Sequence, residues 1–236
     1  MLEEKFINTP IENVMEEAVS ACSVIVGGIE SYPISEYVFQ SLFLKMTGFQ
    51  EQKLRCICWY IASFDYQFRY NYLDKYKELH QFSSQTDKNV VWSMINGLIR
   101  TYDDTKVQIS LAKREKMVNE GTENIISIFD QSILSEWNKH QYQDFKKWAA
   151  KITLGEVAEG GKLLSGKMYN IYEEMYDRRN KFAHNTLSYQ QNLPSFKSLT
   201  EGRQGNFYCW FFILTLIDKL FINRFEVATE LIKQAE

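Results

Sequence analysis

Arg179, Asn180 and His184 stand close together in the run Tyr176-Asp177-Arg178-Arg179-Asn180-Lys181-Phe182-Ala183-His184. A guanidinium can grip an anionic group through two parallel N–H donors, and an imidazole can take or give a proton near neutral pH. On a helical wheel, Arg179 falls among Leu164, Met168, Ile171, Met175 and Phe182, on the apolar side of its own helix. Asp177, Asn180 and His184 line the opposite, polar stripe. A charge placed on a buried flank is expensive unless it is paired. Two readings follow. Either Arg179 meets an acid from a neighbouring helix, or that flank faces a cleft or subunit interface where Arg179 receives an anionic ligand.

Other catalytic signatures are weaker. Gly155-Glu156-Val157-Ala158-Glu159-Gly160-Gly161-Lys162 resembles a phosphate-binding loop, but its lysine comes one residue late. Leu163 also occupies the place of the magnesium-holding Ser or Thr, so a plain helix connection is expected. His80, His140 and His184 lie far apart in sequence and form no local metal-ligating cluster. Ser165 lacks the glycine two places before it that a nucleophile elbow needs. No metal and no cofactor is expected.

The elements that must position these residues are helices. The chain of 236 residues is 45% apolar and 15% aromatic, with only 3 Pro and 11 Gly, which speaks against a turn-rich sandwich. A chain this size buries a core without disulfides or metal. A total of 27 Lys and Arg against 30 Asp and Glu leaves a net charge of −3, which excludes a highly basic nucleic-acid coat protein. Charged residues make up only 24% beside so many aromatics, and that balance excludes disorder.

Thr9-Pro10-Ile11-Glu12 reads as a capping box opening a helix that runs to Gly27-Gly28. A second helix is expected from Pro33 to Met46. A long third carries the stripe Leu54, Ile57, Cys58, Ile61, Phe64, Phe68 and Tyr72. Thr86 or Asp87 caps a fourth helix, and Gly121-Thr122-Glu123 separates it from one reaching Trp148. Lys162 to Ala183 is helical, Gln190 to Gln204 is a polar loop, and Asn206 begins the last helix. The expected fold is an all-α bundle of six to seven helices in one domain, residues 1–236, with 1–48 readable as an N-terminal helical extension. The tract Tyr208 to Leu214 is apolar all round, which suits either the central helix of the bundle or a dimer contact.

The opening residues Met1 to Lys5 carry no signal-peptide pattern. The apolar run Phe207 to Ile217 is cut by Asp218-Lys219, too short to span a membrane. Cys22, Cys56, Cys58 and Cys209 read as buried free thiols. A cytoplasmic protein without membrane attachment is expected.

Arg179-Asn180-Lys181-Phe182-Ala183-His184 resembles the R-x4-6-H signature, with a polar residue after the Arg, of the HEPN superfamily of small all-helical proteins. Many of these are ribonucleases in toxin–antitoxin, anti-phage and RNA-guided immune systems. The resemblance implies a HEPN-like bundle and metal-independent cleavage of RNA, in which the substrate's own 2′-OH attacks and leaves a 2′,3′-cyclic phosphate. It assigns Arg179, Asn180 and His184 to catalysis, with the adjacent cations Arg178 and Lys181 as substrate-binding residues. It further implies a homodimer with a composite site, since the wheel sets Arg179 and His184 about 140° apart on one helix. A cognate antitoxin or regulatory protein would be a further partner. Residues 139–181 carry nine Lys and Arg against six Asp and Glu, a bias that suits phosphate steering. Glu30, Glu36 and Glu51 are the candidate supporting acids, and Tyr66 and Tyr70, off the apolar stripe, could touch a partner or RNA. The alternative is a non-catalytic helical module that binds a protein or nucleotide, with Arg179 in a structural ion pair.

Overall fold

A computed structural model describes residues 2–25, 28, 32–75, 82–159, 161–184 and 205–235, without the side chains of residues 2, 32, 33, 72–75 and 184. These hold ten α-helices: α1 (Leu2–Ile7), α2 (Glu12–Cys22), α3 (Tyr32–Phe64), α4 (Tyr66–Lys75), α5 (Gln85–Tyr102), α6 (Leu111–Phe129), α7 (Ile133–Trp137), α8 (Lys139–Ala149), α9 (Gly166–His184) and α10 (Phe207–Ala235). Among the described residues there is no strand, only an isolated antiparallel bridge between Val157 and Leu164. The all-α expectation holds, but six to seven helices is too few.

The differences have physical causes. The two helices expected between Pro33 and Tyr72 divide elsewhere, because α3 runs unbroken through residue 48. Space around Gly48 is open, and one glycine in a long helix costs only about 1 kcal/mol. Gly121 lies inside α6, where a Cβ would meet the Phe212 ring at 3.3 Å, so this glycine serves close helix approach rather than helix ending. The segment up to Trp148 splits at residues 130–138. Gln131 there has φ of 57°, and the Ser132 hydroxyl accepts from the Ser135 amide to start α7. Ser84, not Thr86 or Asp87, caps α5 by accepting from the Asp87 amide. Thr9 does not cap α2 either. Its hydroxyl donates to the Lys5 carbonyl, closing α1, while Glu12 turns inward.

The core forms around α10, whose residues 207–218 are all buried. It packs on α3, α5, α6, α8 and α9. Phe211 stacks on Phe39 and Phe129, with ring centroids 6.2 and 5.8 Å away. Enclosure within its own chain accounts for the apolar first half of α10. An ion pair lies inside this core. Asp218 of α10 and Lys53 of α3, each 1% exposed, pair at 2.7 Å. Lys53 also donates to the Thr9 carbonyl, and the Ile11 amide donates to Asp218. This network fastens the α1–α2 turn to the central helix. Burial pushes Asp218 up to about 6 and Lys53 down from its ordinary value.

All four cysteines are free, and three are buried, whereas Cys56 is partly exposed. Phe64, expected on the apolar stripe, is 46% exposed, because α3 ends there and Asp65 turns the chain into α4. No helix among the described residues is long and apolar enough to cross a membrane.

Candidate functional site

The helix that carries Arg179 is anchored at both ends. At its start, the Glu156 carboxylate accepts from the Met168 amide. Gly166 sits at φ of 55°, where a Cβ would lie 2.6 Å from the same carboxylate. The Arg114 guanidinium donates to the Leu154 and Val157 carbonyls, at 3.4 and 3.1 Å. The glycine-rich segment is thus the foundation of α9, a helix connection as expected. Along α9, Met168, Tyr172 and Met175 are buried on the inner flank. Near its end, Phe182 meets Phe43 of α3 edge-on at 6.1 Å and stacks on Phe207 of α10 at 6.3 Å.

This packing brings Arg179 over α3. Its Nη2 donates to Glu51 Oε1 at 3.0 Å, with the two side chains 20% and 15% exposed. Its Nη1 donates to Asn180 Oδ1 at 3.3 Å. The buried Nε–H finds no acceptor among the described residues. Of the candidate acids, Glu51 is therefore the one that meets Arg179. Glu36 instead accepts from Gln40 on the surface, and Glu30 lies outside the described residues. Arg178 is partly exposed and Lys181 is exposed, both on the final turns of α9. His184 is the last residue of α9, and its side chain lies outside the described part of the structure.

Behind the ion pair is a small crevice of about 10 Å³, room for about one water molecule, lined by Thr47, Ser83, Lys88, Tyr172 and Tyr176 as well as Glu51 and Arg179. The Tyr172 hydroxyl donates to the Ser83 carbonyl at 2.5 Å. Lys88 is buried, and its ammonium donates to the Phe82 carbonyl at 2.6 Å. Burial pulls its pKa down to about 7. Nearby Glu51 and Asp87 oppose that shift, and the Arg179 charge adds to it. Burial likewise pushes the Tyr172 phenol well above its usual range. The Ser83 hydroxyl has no partner among the described residues. Sequence reasoning missed Lys88 and Ser83, because nothing in their local pattern signals that α9 covers them.

The partly exposed Arg179 guanidinium, rather than the buried Lys88, is the cation here that can grip an anion. Among the described residues, no three His, Cys, Asp or Glu gather as a metal site. Neither family models, nor curated proteins, nor solved structures yield a match to the chain.

Proposed function

We propose that the chain is a metal-independent endoribonuclease of HEPN type, acting as a toxin or anti-phage defence effector in the cytoplasm. The observation that supports this reading is the Arg179 guanidinium. It is held in one orientation by Glu51 and Asn180 and remains 20% exposed. A group fixed in this way has donors to offer an equatorial phosphate oxygen as charge develops there, without reorganising at that moment. Asn180 is then the positioning residue for the guanidinium.

His184 moves the proton between the attacking 2′-OH and the departing 5′-oxygen, and the products are a 2′,3′-cyclic phosphate and a 5′-OH. Arg178 and Lys181 hold flanking phosphates. Because one helix does not readily aim Arg179 and His184 at a single phosphate, two copies supply a composite site along α9. A cognate antitoxin or regulatory protein restrains it.

A second reading, a non-catalytic helical module that binds a protein or nucleotide, is favoured by one specific observation. Glu51 already neutralises Arg179 inside its own bundle, as a purely structural ion pair would. The two readings separate on incubation with RNA in EDTA. The nuclease reading expects cleavage that survives chelation and falls by at least about 100-fold in His184→Ala and in Arg179→Ala, with sedimentation showing a dimer throughout. Wild-type rates in either dimeric variant would refute it, and an inert wild-type protein would leave the binding module standing.

A further inference from the structure

A groove follows the contact between α2 and α6, and it shares no lining residue with the Arg179 crevice. It has two lobes, of about 210 and 320 Å³, joined through Glu16, Ser127 and Ile128, which line both. The smaller lobe is polar, with Glu12, Asn13, Asn124 and Lys219 around Glu16. The larger lobe adds Val19, which together with Ile128 gives the groove an apolar end. Along α2, the lining from Glu12 to Ser20 extends for about 12 Å.

Charge selects the occupant. The Glu12 side chain is only 6% exposed, and its Oε1 accepts from the Lys219 ammonium at 3.0 Å and from the Asn124 amide at 2.9 Å. Lys219, the cation of the lining, is thereby neutralised, and Glu12 Oε2 has no donor among the described residues. Glu17 pairs with Lys45, and Glu120 pairs with Lys116. Glu16 in the groove and Glu123, exposed on α6 one turn before Ser127, have no cation beside them among the described residues. The charges left over are therefore both negative, in a chain whose net charge is −3. Nucleic acid and anionic lipid would be repelled here. A two-fold contact between copies would set the same acids against each other. A cationic group fits the polar lobe, and an apolar one fits the other.

We infer that the groove between α2 and α6 is a docking site for a basic, extended segment of a partner protein. A lysine or arginine of that segment lies against Glu16, beside the buried Glu12 carboxylate, and an apolar side chain a few residues away covers Val19 and Ile128. Four residues of extended chain span about 13 Å, which matches the length of the lining. The exposed Asn13 side chain at the polar lobe can pair with the backbone of the segment. A free amine would fill the polar lobe and leave the apolar end in water. The docking site does not depend on Arg179, so it holds under the nuclease reading and under the binding-module reading.

The test displays random heptapeptides on phage against the full chain, and selects in parallel against Glu16→Lys. The wild-type selection should return sequences with a lysine or arginine followed or preceded within about four residues by an apolar side chain. The most enriched peptide, made with a fluorescein label, should bind about tenfold more weakly to Glu16→Lys by fluorescence anisotropy, and more weakly to wild type as salt rises. Val19→Gln should weaken it as well, by a salt-independent amount. Both positions lie outside the buried core, and circular dichroism verifies that the variants stay folded. A selection that returns no peptide, or peptides without cations, would overturn the inference, as would equal affinity for wild type and Glu16→Lys. Competition by arginine amide as strong as that by the peptide would assign the groove to a small amine instead. Loss of self-association in Glu16→Lys without any selected peptide would assign it to a second copy. RNA cleavage is measured separately, and its presence or absence leaves each of these outcomes unchanged.

Discussion

Arg179 and Glu51 are separated by most of the chain yet meet at 3.0 Å, and what each does for the other can be measured. Both are mostly buried, so removing one partner strands the other charge in a medium that solvates it poorly. Glu51→Gln should cost about 1–3 kcal/mol in urea unfolding, and a double-mutant cycle with Arg179→Gln should recover a favourable coupling energy. Strict additivity would mean that the pair stabilises nothing. Lys88 allows a pH test. Glu51, Asp87, Arg179 and Tyr172 act on its ammonium, and burial holds its folded pKa near 7 against the ordinary 10.5. Between those values the unfolded chain binds more protons than the folded one, so the lysine's contribution to stability rises with pH. Below about 7 it is charged in both states, and the full cost of burial remains. Wild-type stability relative to Lys88→Met should therefore climb from about pH 7 to 9, and a flat difference would contradict the burial. The apolar flank around Arg179 was legible from helical spacing alone. Choosing Glu51 over Glu30 and Glu36 was not, because only packing of α3 on α9 decides it.

Helices here are defined less by their own sequences than by what they lie against. Glycines at 48 and 121 look alike in sequence, yet one faces open space and the other faces the Phe212 ring. Neither ends a helix, so the boundary drawn at Gly121 failed, while the connection read at Gly155 to Gly161 does lie between α8 and α9 and boundaries at Ser84 or Ser132 would have succeeded. Lys53 and Asp218 show the same dependence between α3 and α10. Asp218 reads as an interruption of an apolar run and Lys53 as one more charge in a polar one, and only their opposition makes their burial tolerable. Lys53→Met or Asp218→Leu alone should destabilise by about 3–5 kcal/mol, because an uncompensated charge stays behind. The double substitution should regain most of that loss, or exceed wild type, since apolar pairs of similar volume often replace buried ion pairs without penalty. Chemical denaturation of the three variants checks this, and equal losses in the single and double variants would rule it out.

Across the whole molecule, composition revealed the class: few prolines, no alternating stretches and stripes at helical spacing can hardly build anything but helices. The arrangement was not legible, since ten helices admit many packings, and even the apolar tract Tyr208 to Leu214 suited either the centre of the bundle or a dimer contact. The helix of that tract, α10, also follows in the chain every helix that it packs on. While a ribosome is still at work on it, α3, α5, α6, α8 and α9 have no common surface to close upon, and their greasy sides stand open. Such a nascent chain would need shielding by chaperones, and the cleft beside Arg179 would stay unassembled until translation has passed residue 207.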